Sequence, residues 1–312
     1  MKIAITGGGG FLGRLLAQAL LADPRVERLV LADSAPAPPP AADARLAILQ
    51  GDLGAAGEAE SIAEGADVIF HLAAVLSGQA EADFDLGMRV NVDATRRLLE
   101  AARAGGRRPR LVFASSLAVF GPPLPPVVTD ATAVHPQSSY GTAKAIGELL
   151  VGDYSRRGYV DGRVLRLPTI CVRPGQPNAA ASSFVSGIIR EPLRGERAVC
   201  PVGRDLELWL SSPRTAVLNL VHAASLPAIG SVPVINLPGI TVTVAEMIDS
   251  LARVAGPAAA ERIEFSEDPL VRRIVSGWPA RFDVARALDL GFSRDPGFES
   301  LIRDFIAHEA AG

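Results

Sequence analysis

Residues 2–21 read KIAITGGGGFLGRLLAQALL, and this stretch joins a β-strand pattern directly to a helix pattern. KIAIT is short and rich in β-branched residues, whereas FLGRLLAQALL repeats leucine at helical spacing. Glycines fill the junction, with Gly7, Gly10 and Gly13 at the spacing GxxGxxG. Between a strand and a helix, such glycines permit a tight turn, close approach of the backbone to a pyrophosphate, and close packing of helix on strand. The stretch therefore predicts the first unit of a dinucleotide-binding fold.

The alternation of strands and helices continues along the chain. Further strands are predicted at residues 28–32, 45–49, 67–71, 110–115 and 163–167, with helical patterns between most of them. Because parallel strands need crossover helices that cover both faces of the sheet, this order predicts a doubly wound, Rossmann-type α/β fold. After residue 168 the pattern loosens into loops rich in proline and glycine.

We expect two domains from this change of pattern. A cofactor-binding domain is predicted over residues 1–168, with 213–238 returning to it. A smaller substrate-binding lobe is predicted over residues 169–212 and 239–312.

The composition of the 312-residue chain argues against several classes of protein. Charged residues make up 21% and the formal net charge is -3, so we expect no nucleic-acid partner. The chain has two cysteines and four histidines without ligand spacing, and we expect neither a disulfide scaffold nor a metal site. Apolar runs are shorter than the roughly 20 residues of a membrane helix, and a strand pattern stands where a signal peptide would. We therefore expect a soluble, cytoplasmic protein with no membrane partner.

A carboxylate follows the second predicted strand. Asp33 lies about 20 residues beyond the glycines, where an acid accepts hydrogen bonds from a ribose and repels a 2′-phosphate. This favours NAD over NADP; the alternative is a plain glycine-rich turn with a solvated aspartate. Further cofactor contacts are predicted where the first helix opens and where the third and fourth strands end: Phe11, Leu12, Asp52, Leu53, Leu72, Ala73 and Ala74. For the two alanines, close packing of the backbone is the alternative.

A serine pair and a Tyr–Lys pair carry the predicted chemistry. Ser115 and Ser116 end the fifth strand, and Tyr140 precedes Lys144 by one helical turn. An ammonium one turn from a phenol lowers the phenol's pKa from its ordinary value of about 10, which makes a usable general base. A serine at the neighbouring strand end can hold the substrate oxygen. A tyrosine and a lysine at this spacing also occur by chance on many helices. The prediction of a catalytic pair therefore rests on their combination with the serine and the glycine turn.

With these motifs, together with GDL, HLAA, NVDAT and a closing WP…FD…LGF segment, the sequence resembles the extended short-chain dehydrogenase/reductase family. The resemblance implies that Ser116 is the catalytic serine with Ser115 just behind it, that Tyr140 is the acid/base, and that Lys144 holds the ribose. It also implies that Asn91 supports the site, although a satisfied amide on a helix surface is the alternative. Pro168 and Ile170 stand where the family threads its backbone past the nicotinamide. The resemblance further implies a homodimer through helices at 87–104 and 139–157.

Several positions depart from the members that act on sugar nucleotides. Leu117 and Ala118 follow Ser116 where a dehydratase carries an acidic pair, which argues against dehydration. Phe120 replaces a tyrosine usual before the glycine. Ser211 and Ser212 replace two acids, and the arginine expected nearby to bind a diphosphate is missing from its register.

The stretch VRPGQPNAAASSF, residues 172–184, lies where the family selects its substrate. Arg173 occupies a position that is glycine in many relatives, and a guanidinium there offers a fork for a carboxylate. Asn178 and Ser182 could bind hydroxyls. Arg214 is a weaker candidate for the carboxylate, and a structural salt bridge is the alternative for Arg173.

The stretch resembles family members that oxidise a four-carbon sugar acid, which implies NAD-dependent oxidation at C2 to a 2-oxo acid. Two other functions stay open. One is a nucleotide-sugar 4-epimerase that uses the same serine, tyrosine and lysine. The other is a cofactor-sensing regulatory protein on the same fold.

Overall fold

The computed structural model describes residues 1–36, 38–55, 57–176, 180–227, 229 and 233–311. Its strands are β1 Lys2–Thr6, β2 Arg28–Asp33, β3 Leu46–Gln50, β4 Val68–His71, β5 Arg110–Ser116, β6 Asp161–Leu167, β7 Thr169–Ile170, β8 Ala198–Cys200, β9 Glu207–Ser211, β10 Val234–Asn236, β11 Ile240–Thr243 and β12 Ile263–Phe265. Its helices are α1 Phe11–Leu21, α2 Glu58–Ala63, α3 Ser77–Ala82, α4 Phe84–Met88, α5 Ala94–Gly105, α6 Ser139–Arg156, α7 Ser183–Leu193, α8 Pro213–Ser225, α9 Val244–Ala255, α10 Pro257–Ala260, α11 Pro269–Val275, α12 Ala285–Asp289 and α13 Phe298–Ala311. A π-helical turn, Arg89–Asp93, joins α4 to α5.

The chain forms two compact units. Unit 1 contains Met1–Val119, Ser138–Arg166 and Val217–Ile235, and unit 2 contains Phe120–Gln137, Leu167–Ala216 and Asn236–Gly312. That the cofactor binds to the first and the substrate to the second remains a prediction.

A seven-stranded sheet dominates unit 1, in the order β10-β6-β5-β4-β1-β2-β3. β1 pairs in parallel with both β2 and β4, so that Thr6 lies beside Ala32 on one side and beside His71 on the other. Helices cover the sheet, and β1 is therefore buried along its length beyond Lys2. The Rossmann-type α/β fold is confirmed, and each of the six strands predicted ahead of residue 168 is present with its ends shifted by at most two residues.

The strand order of unit 1 determines where a ligand can bind. The chain moves outward from β1 through β2 to β3, and then returns to the other side of β1 with β4 and β5. Between β1 and β4 the order reverses, and in such sheets ligands bind at the carboxyl ends of the strands at this point. Apart from Asn91, which lies in the π-helical turn, the predicted cofactor and catalytic residues of unit 1 lie at these strand ends or in the first turns of the helices next to them.

Unit 2 has its own core around a three-stranded sheet, β11-β9-β7, and a parallel pair, β12-β8. α7, α9 and α13 bury residues such as Ile189, Met247 and Ile302 against these strands. The strands β7, β8, β11 and β12 were not predicted, because segments of two to four residues carry no measurable alternation. Among the described helices, none has the length and apolar character to cross a membrane.

An aromatic cluster in unit 2 accounts for Phe120. Its ring is buried and packs edge-on against Phe282 at 5.9 Å between centroids, and Phe282 lies 5.0 Å from Trp209. A tyrosine hydroxyl at this position would need a partner inside the core.

Candidate active site

The glycine turn after β1 has the geometry that a dinucleotide needs. Gly7 has φ +70°, in the left-handed region that favours glycine, and a Cβ on it would lie 2.7 Å from the backbone nitrogen of Ala73. A Cβ on Gly13 would lie 2.3 Å from the carbonyl oxygen of Gly7, so only glycine lets α1 pack this close to the turn. The Gly10 N–H donates to the Gly7 carbonyl at 3.1 Å and closes the turn. Phe11 and Leu12, both half-buried, form the first turn of α1 directly beyond it.

Asp33, at the end of β2, holds its carboxylate against this turn. One oxygen accepts the Gly9 N–H at 3.0 Å and the other accepts the Ala35 N–H at 3.1 Å. Two backbone donors thus fix a half-buried negative charge beside the glycines, at the place where the sequence predicts the ribose-binding acid. An acid so placed, a close-packed turn and the start of α1 together form a donor set that fits NAD.

The other predicted cofactor contacts occupy the ends of β3 and β4. Asp52 accepts the Gly54 N–H at 2.8 Å and pairs with Arg89, and these interactions lower the pKa of its carboxyl. Leu53 packs partly against the core of unit 1. The residues after β4, which are Leu72, Ala73 and Ala74, are half-buried. The close approach of Ala73 to Gly7 supports the packing explanation of the alanine without excluding a cofactor contact.

Asn91 is buried in the π-helical turn between α4 and α5. Its side-chain oxygen accepts the Val75 N–H at 2.8 Å, and its amide nitrogen donates to the Val75 carbonyl at 3.1 Å. The alternative from the sequence was a satisfied amide on a helix surface; the amide is satisfied, but it is buried, and its support of the site stays a prediction. Asn91 fixes the loop that follows β4, whose residues are predicted to contact the cofactor.

A buried histidine ends β4, the strand that precedes this loop. His71 shares a hydrogen bond of 2.6 Å between Nδ1 and the Thr6 hydroxyl, and one of 2.9 Å between Nε2 and the Thr95 hydroxyl. Because Thr95 donates its own hydrogen to the Asn91 carbonyl, Nε2 is the donor in the second bond. Burial, and next the charge of Lys144, lower the pKa of His71 to about 3, so that the ring is neutral.

The two serines that end β5 differ in environment. Ser115 is buried, and its hydroxyl donates to Glu148 Oε1 at 2.5 Å. Ser116 is half-buried, and its hydroxyl accepts the Ala118 N–H at 3.1 Å, which leaves the hydroxyl hydrogen for another acceptor. Successive residues of a strand point to opposite faces, and here that alternation separates the two roles predicted for them. A cofactor contact by Ser115 stays a prediction, since its hydrogen is directed to Glu148.

Tyr140 and Lys144 lie in the first turns of α6. Ser138 caps this helix by accepting the Gly141 N–H at 3.1 Å, and Glu81 accepts the Ser139 N–H at 2.9 Å. Tyr140 is half-buried, whereas Lys144 is buried with its ammonium 5.8 Å from the centre of the Tyr140 ring. Burial lowers the pKa of Lys144 to about 8, and the charge of Glu148 opposes this shift.

Sequence reasoning missed Glu148 and Arg166. These two form a buried ion pair, with Arg166 Nη2 at 2.7 Å from one carboxylate oxygen and Nε at 2.9 Å from the other. The i, i+4 spacing of Lys144 and Glu148 was the available signal, since it places the acid one turn beyond the lysine.

The predicted substrate loop in unit 2 is held by α7. The Arg173 N–H donates to the Ser186 hydroxyl at 3.0 Å, and the Arg173 carbonyl accepts from the buried Arg190 at 2.8 Å. Arg194, one turn further, reaches the Gly175 carbonyl at 3.4 Å. Of the other predicted substrate residues, Ser182 directly precedes α7 without capping it, and Asn178 lies outside the described residues. Pro168 is buried and Ile170 lies in β7 beside Ser211.

Asp295 explains the two serines that replace acids after β9. Its buried carboxylate accepts the Ser212 hydroxyl at 2.6 Å, the Thr215 hydroxyl at 2.7 Å and the Ser211 hydroxyl at 3.0 Å. It also accepts the Ser212 N–H at 2.9 Å. The acid is thus supplied from a distant part of the sequence to the start of α8. Arg214 lies on the exposed side of α8, with its side chain 74% accessible and 4.0 Å from Asp304.

The family is decided by comparison with known proteins. The protein-family model described as the NAD dependent epimerase/dehydratase family matches residues 3–223 of this chain. The chain belongs to the NAD-dependent epimerase/dehydratase family. The family description names NAD, which confirms the predicted cofactor.

Within this family, individual relatives are similar over nearly the whole chain. A D-erythronate dehydrogenase of Cupriavidus necator is 55% identical over 98% of both chains. A D-erythronate dehydrogenase of Haemophilus influenzae is 51% identical over 99% of this chain and 100% of its own. Among solved structures, the crystal structure of the nucleoside-diphosphate-sugar epimerase from Agrobacterium tumefaciens has a TM-score of 0.95 and 45% identity, and it matches 100% of this chain and 95% of that chain.

Proposed function

We propose that the chain is an NAD-dependent dehydrogenase that oxidises D-erythronate at C2 to 2-dehydro-D-erythronate. The observation that carries this proposal is its 55% and 51% identity to two D-erythronate dehydrogenases over almost their full lengths. The arrangement of Ser116, Tyr140 and Lys144 in unit 1 supports the chemistry.

In the proposed mechanism, Tyr140 removes the proton of the C2 hydroxyl while the C2–H bond breaks and the C2=O bond forms. NAD supplies the hydride acceptor. Ser116 donates a hydrogen bond to the reacting oxygen, since its own oxygen already accepts the Ala118 N–H. The Lys144 ammonium favours the phenolate form of Tyr140, because opposite charges nearby stabilise each other. Asn91 keeps the loop after β4 in place through Val75.

For unit 2 the proposal is that Arg173 binds the substrate carboxylate and that Asn178 and Ser182 bind hydroxyls. Two hydrogen bonds support this proposal for Arg173: its N–H donates to the Ser186 hydroxyl, and its carbonyl accepts from Arg190. They fix its main chain independently of its side chain. Replacing Arg173 by methionine should raise the KM for D-erythronate about 10–100-fold with a small effect on kcat, as expected when a charged hydrogen-bonded pair is lost. The matched variant Arg214→Met tests the second candidate and should leave KM unchanged. A KM that responds to Arg214 and not to Arg173 would reverse the assignment.

The proposed function is tested by supplying a panel of small sugar acids with NAD or NADP and following NADH absorbance. D-Erythronate with NAD should give NADH and an equal amount of 2-oxo acid. Tyr140→Phe should lower kcat by at least about 100-fold, the usual contribution of a general base. Tyr159→Phe is the control, since that hydroxyl accepts a hydrogen bond from Arg157 at 3.0 Å and belongs to no predicted site. Full cellular function of the Tyr140→Phe variant would favour a cofactor-sensing protein instead.

A nucleotide-sugar 4-epimerase is the second candidate, and it is favoured by the similarity to the Agrobacterium tumefaciens structure. Such an enzyme keeps its cofactor through the cycle. Conversion of a nucleotide sugar without net NADH, together with no reaction on D-erythronate, would establish this alternative.

We further propose that the protein is a cytoplasmic homodimer. Leu149 on α6 supports the dimer, because it is 71% exposed on a helix that the sequence predicts to lie at the interface. Light scattering should give twice the mass of one chain, and Leu149→Arg should halve it. Cell fractionation checks the location: activity in the cytoplasmic fraction is the expected result.

A further inference from the structure

Three titratable side chains follow one another along a single face of α6. Tyr140, Lys144 and Glu148 are spaced at i, i+4 and i+8, which places them on successive turns of the helix. Lys144 and Glu148 are both buried, at 3% and 5% exposure. The proposed mechanism uses the first two and assigns nothing to Glu148.

Glu148 is fixed by partners on two strands. Ser115, at the end of β5, donates its hydroxyl to Oε1, and Arg166, on β6, donates from both Nε and Nη2. A buried ion pair is poor evidence for stability, because removing both charges from water costs about as much as their attraction returns. The presence of this pair next to Lys144 therefore calls for another explanation.

The environment of Lys144 contains few charges. From β4 it faces the neutral ring of His71, and from β5 the ring of Phe113 at 4.8 Å from the ammonium. Along α6 the neighbours are Tyr140 and Glu148. Of these groups Glu148 supplies the negative charge, and Arg166 on β6 lies directly behind that carboxylate.

We propose that Glu148 is a positioning residue for the reaction: its carboxylate, fixed by Ser115 and Arg166, keeps the Lys144 ammonium charged on the face of α6 that carries Tyr140. The inference rests on the proposed dehydrogenase chemistry for its catalytic meaning. Its physical basis is separate, because the charge state of Lys144 can be measured without any substrate.

The small number of lysines allows the charge state of Lys144 to be measured directly. Of the 31 basic residues in the chain, two are lysines, Lys2 and Lys144. Protein labelled with 13C-lysine therefore gives two side-chain NMR signals, and Lys2→Arg assigns them. In the wild type, the Lys144 signal should titrate near pH 8.

The first variant is Glu148→Gln. The Lys144 midpoint should fall by about one pH unit, the usual effect of a neighbouring charge. Because this variant leaves Arg166 buried without its partner, it could fail to fold; the second variant, Glu148→Gln with Arg166→Met, removes both charges together. A merely structural role predicts that the double variant regains the wild-type midpoint. The proposal predicts that the double variant regains the wild-type resistance to urea while the Lys144 midpoint stays low.

Kinetics provide the second readout. Loss of the Lys144 proton should cause kcat to decline at alkaline pH. The midpoint of this decline should lie about one pH unit lower in the double variant than in the wild type. Glu148→Asp, which keeps the charge, should restore this midpoint in part. An unchanged Lys144 midpoint in both Glu148 variants would overturn the inference. A lowered midpoint in an enzyme that does not oxidise D-erythronate would refute the proposed function and leave the role of Glu148 standing.

Discussion

Replacing Asp33 by asparagine should change the choice between NAD and NADP. The carboxylate accepts one N–H from Gly9 and one from Ala35, so its charge is fixed beside the glycine turn. Asparagine keeps the size of the side chain and removes the charge. Its single oxygen can accept one of the two N–H groups, so the turn should also lose some stability.

The size of the effect follows from the charges. At about 4 Å and an effective dielectric constant of about 20, one pair of unit charges interacts by about 4 kcal/mol. Asp33 is half-buried and a 2′-phosphate would be partly hydrated, so the repulsion between the two charges should be smaller than this. We expect its loss to favour NADP by about 2 kcal/mol, or roughly 30-fold in kcat/KM. NAD should lose about 1 kcal/mol when its ribose bonds to a neutral acceptor instead of a charged one, or roughly fivefold. The NADP/NAD preference should therefore rise by about 150-fold.

The assay is kcat/KM for each cofactor with D-erythronate, supported by calorimetric binding of NAD and NADP to the free enzyme. Asp67→Asn is the matched control. Asp67 precedes β4, at the amino ends of the strands and away from the glycine turn, and accepts the Lys2 N–H at 2.8 Å. The control should leave the preference unchanged. An Asp33→Asn enzyme with the wild-type preference in both measurements would refute the reasoning.

Three further predictions concern stability. Gly13→Ala should cost about 1–3 kcal/mol and weaken NAD binding, because its Cβ would meet the Gly7 carbonyl; the urea midpoint and a binding titration check it. His71 has its folded pKa lowered from about 6.5 to about 3, so the unfolded chain takes up a proton first as the pH falls. The free energy of unfolding should therefore drop by up to about 1.4 kcal/mol per pH unit below pH ~6.5, as urea titrations at several pH values would reveal, and His71→Gln should flatten this dependence. Asp295→Ala should cost about 3–4 kcal/mol by leaving buried donors without an acceptor, against about 0.5 kcal/mol or less for the exposed Asp249→Ala; equal losses would contradict this explanation.

The glycine turn and the Tyr–Lys pair of unit 1 could be proposed from the sequence because each is tied to a local signal. Gly7, Gly10 and Gly13 lie in one strand–turn–helix unit, and Tyr140 and Lys144 lie one helical turn apart. Local spacing is set by the backbone geometry of a single element, so it can be computed without knowing what packs against that element.

Partners from distant segments could not be found in this way. The acid beside Ser115 comes from 33 positions further along the chain, and the acid beside Ser212 comes from 83 positions away. Phe120 was noted as a missing hydroxyl, and its packing against Phe282 gives the reason. The short strands of unit 2 are likewise stabilised by pairing with each other and carry little pattern of their own.

The sequence by itself determined the Rossmann-type sheet and the NAD cofactor, and it supplied the serine, tyrosine and lysine as the predicted catalytic residues. The periodicity of strands and helices and the steric demands of the glycine turn are properties of a few consecutive residues. The tertiary structure alone decided that Ser115 is bound to Glu148 while Ser116 keeps a hydrogen to donate, and that Asn91 fixes the loop at Val75. These assignments depend on which buried polar groups meet, and a buried group must find its partner wherever the fold places one.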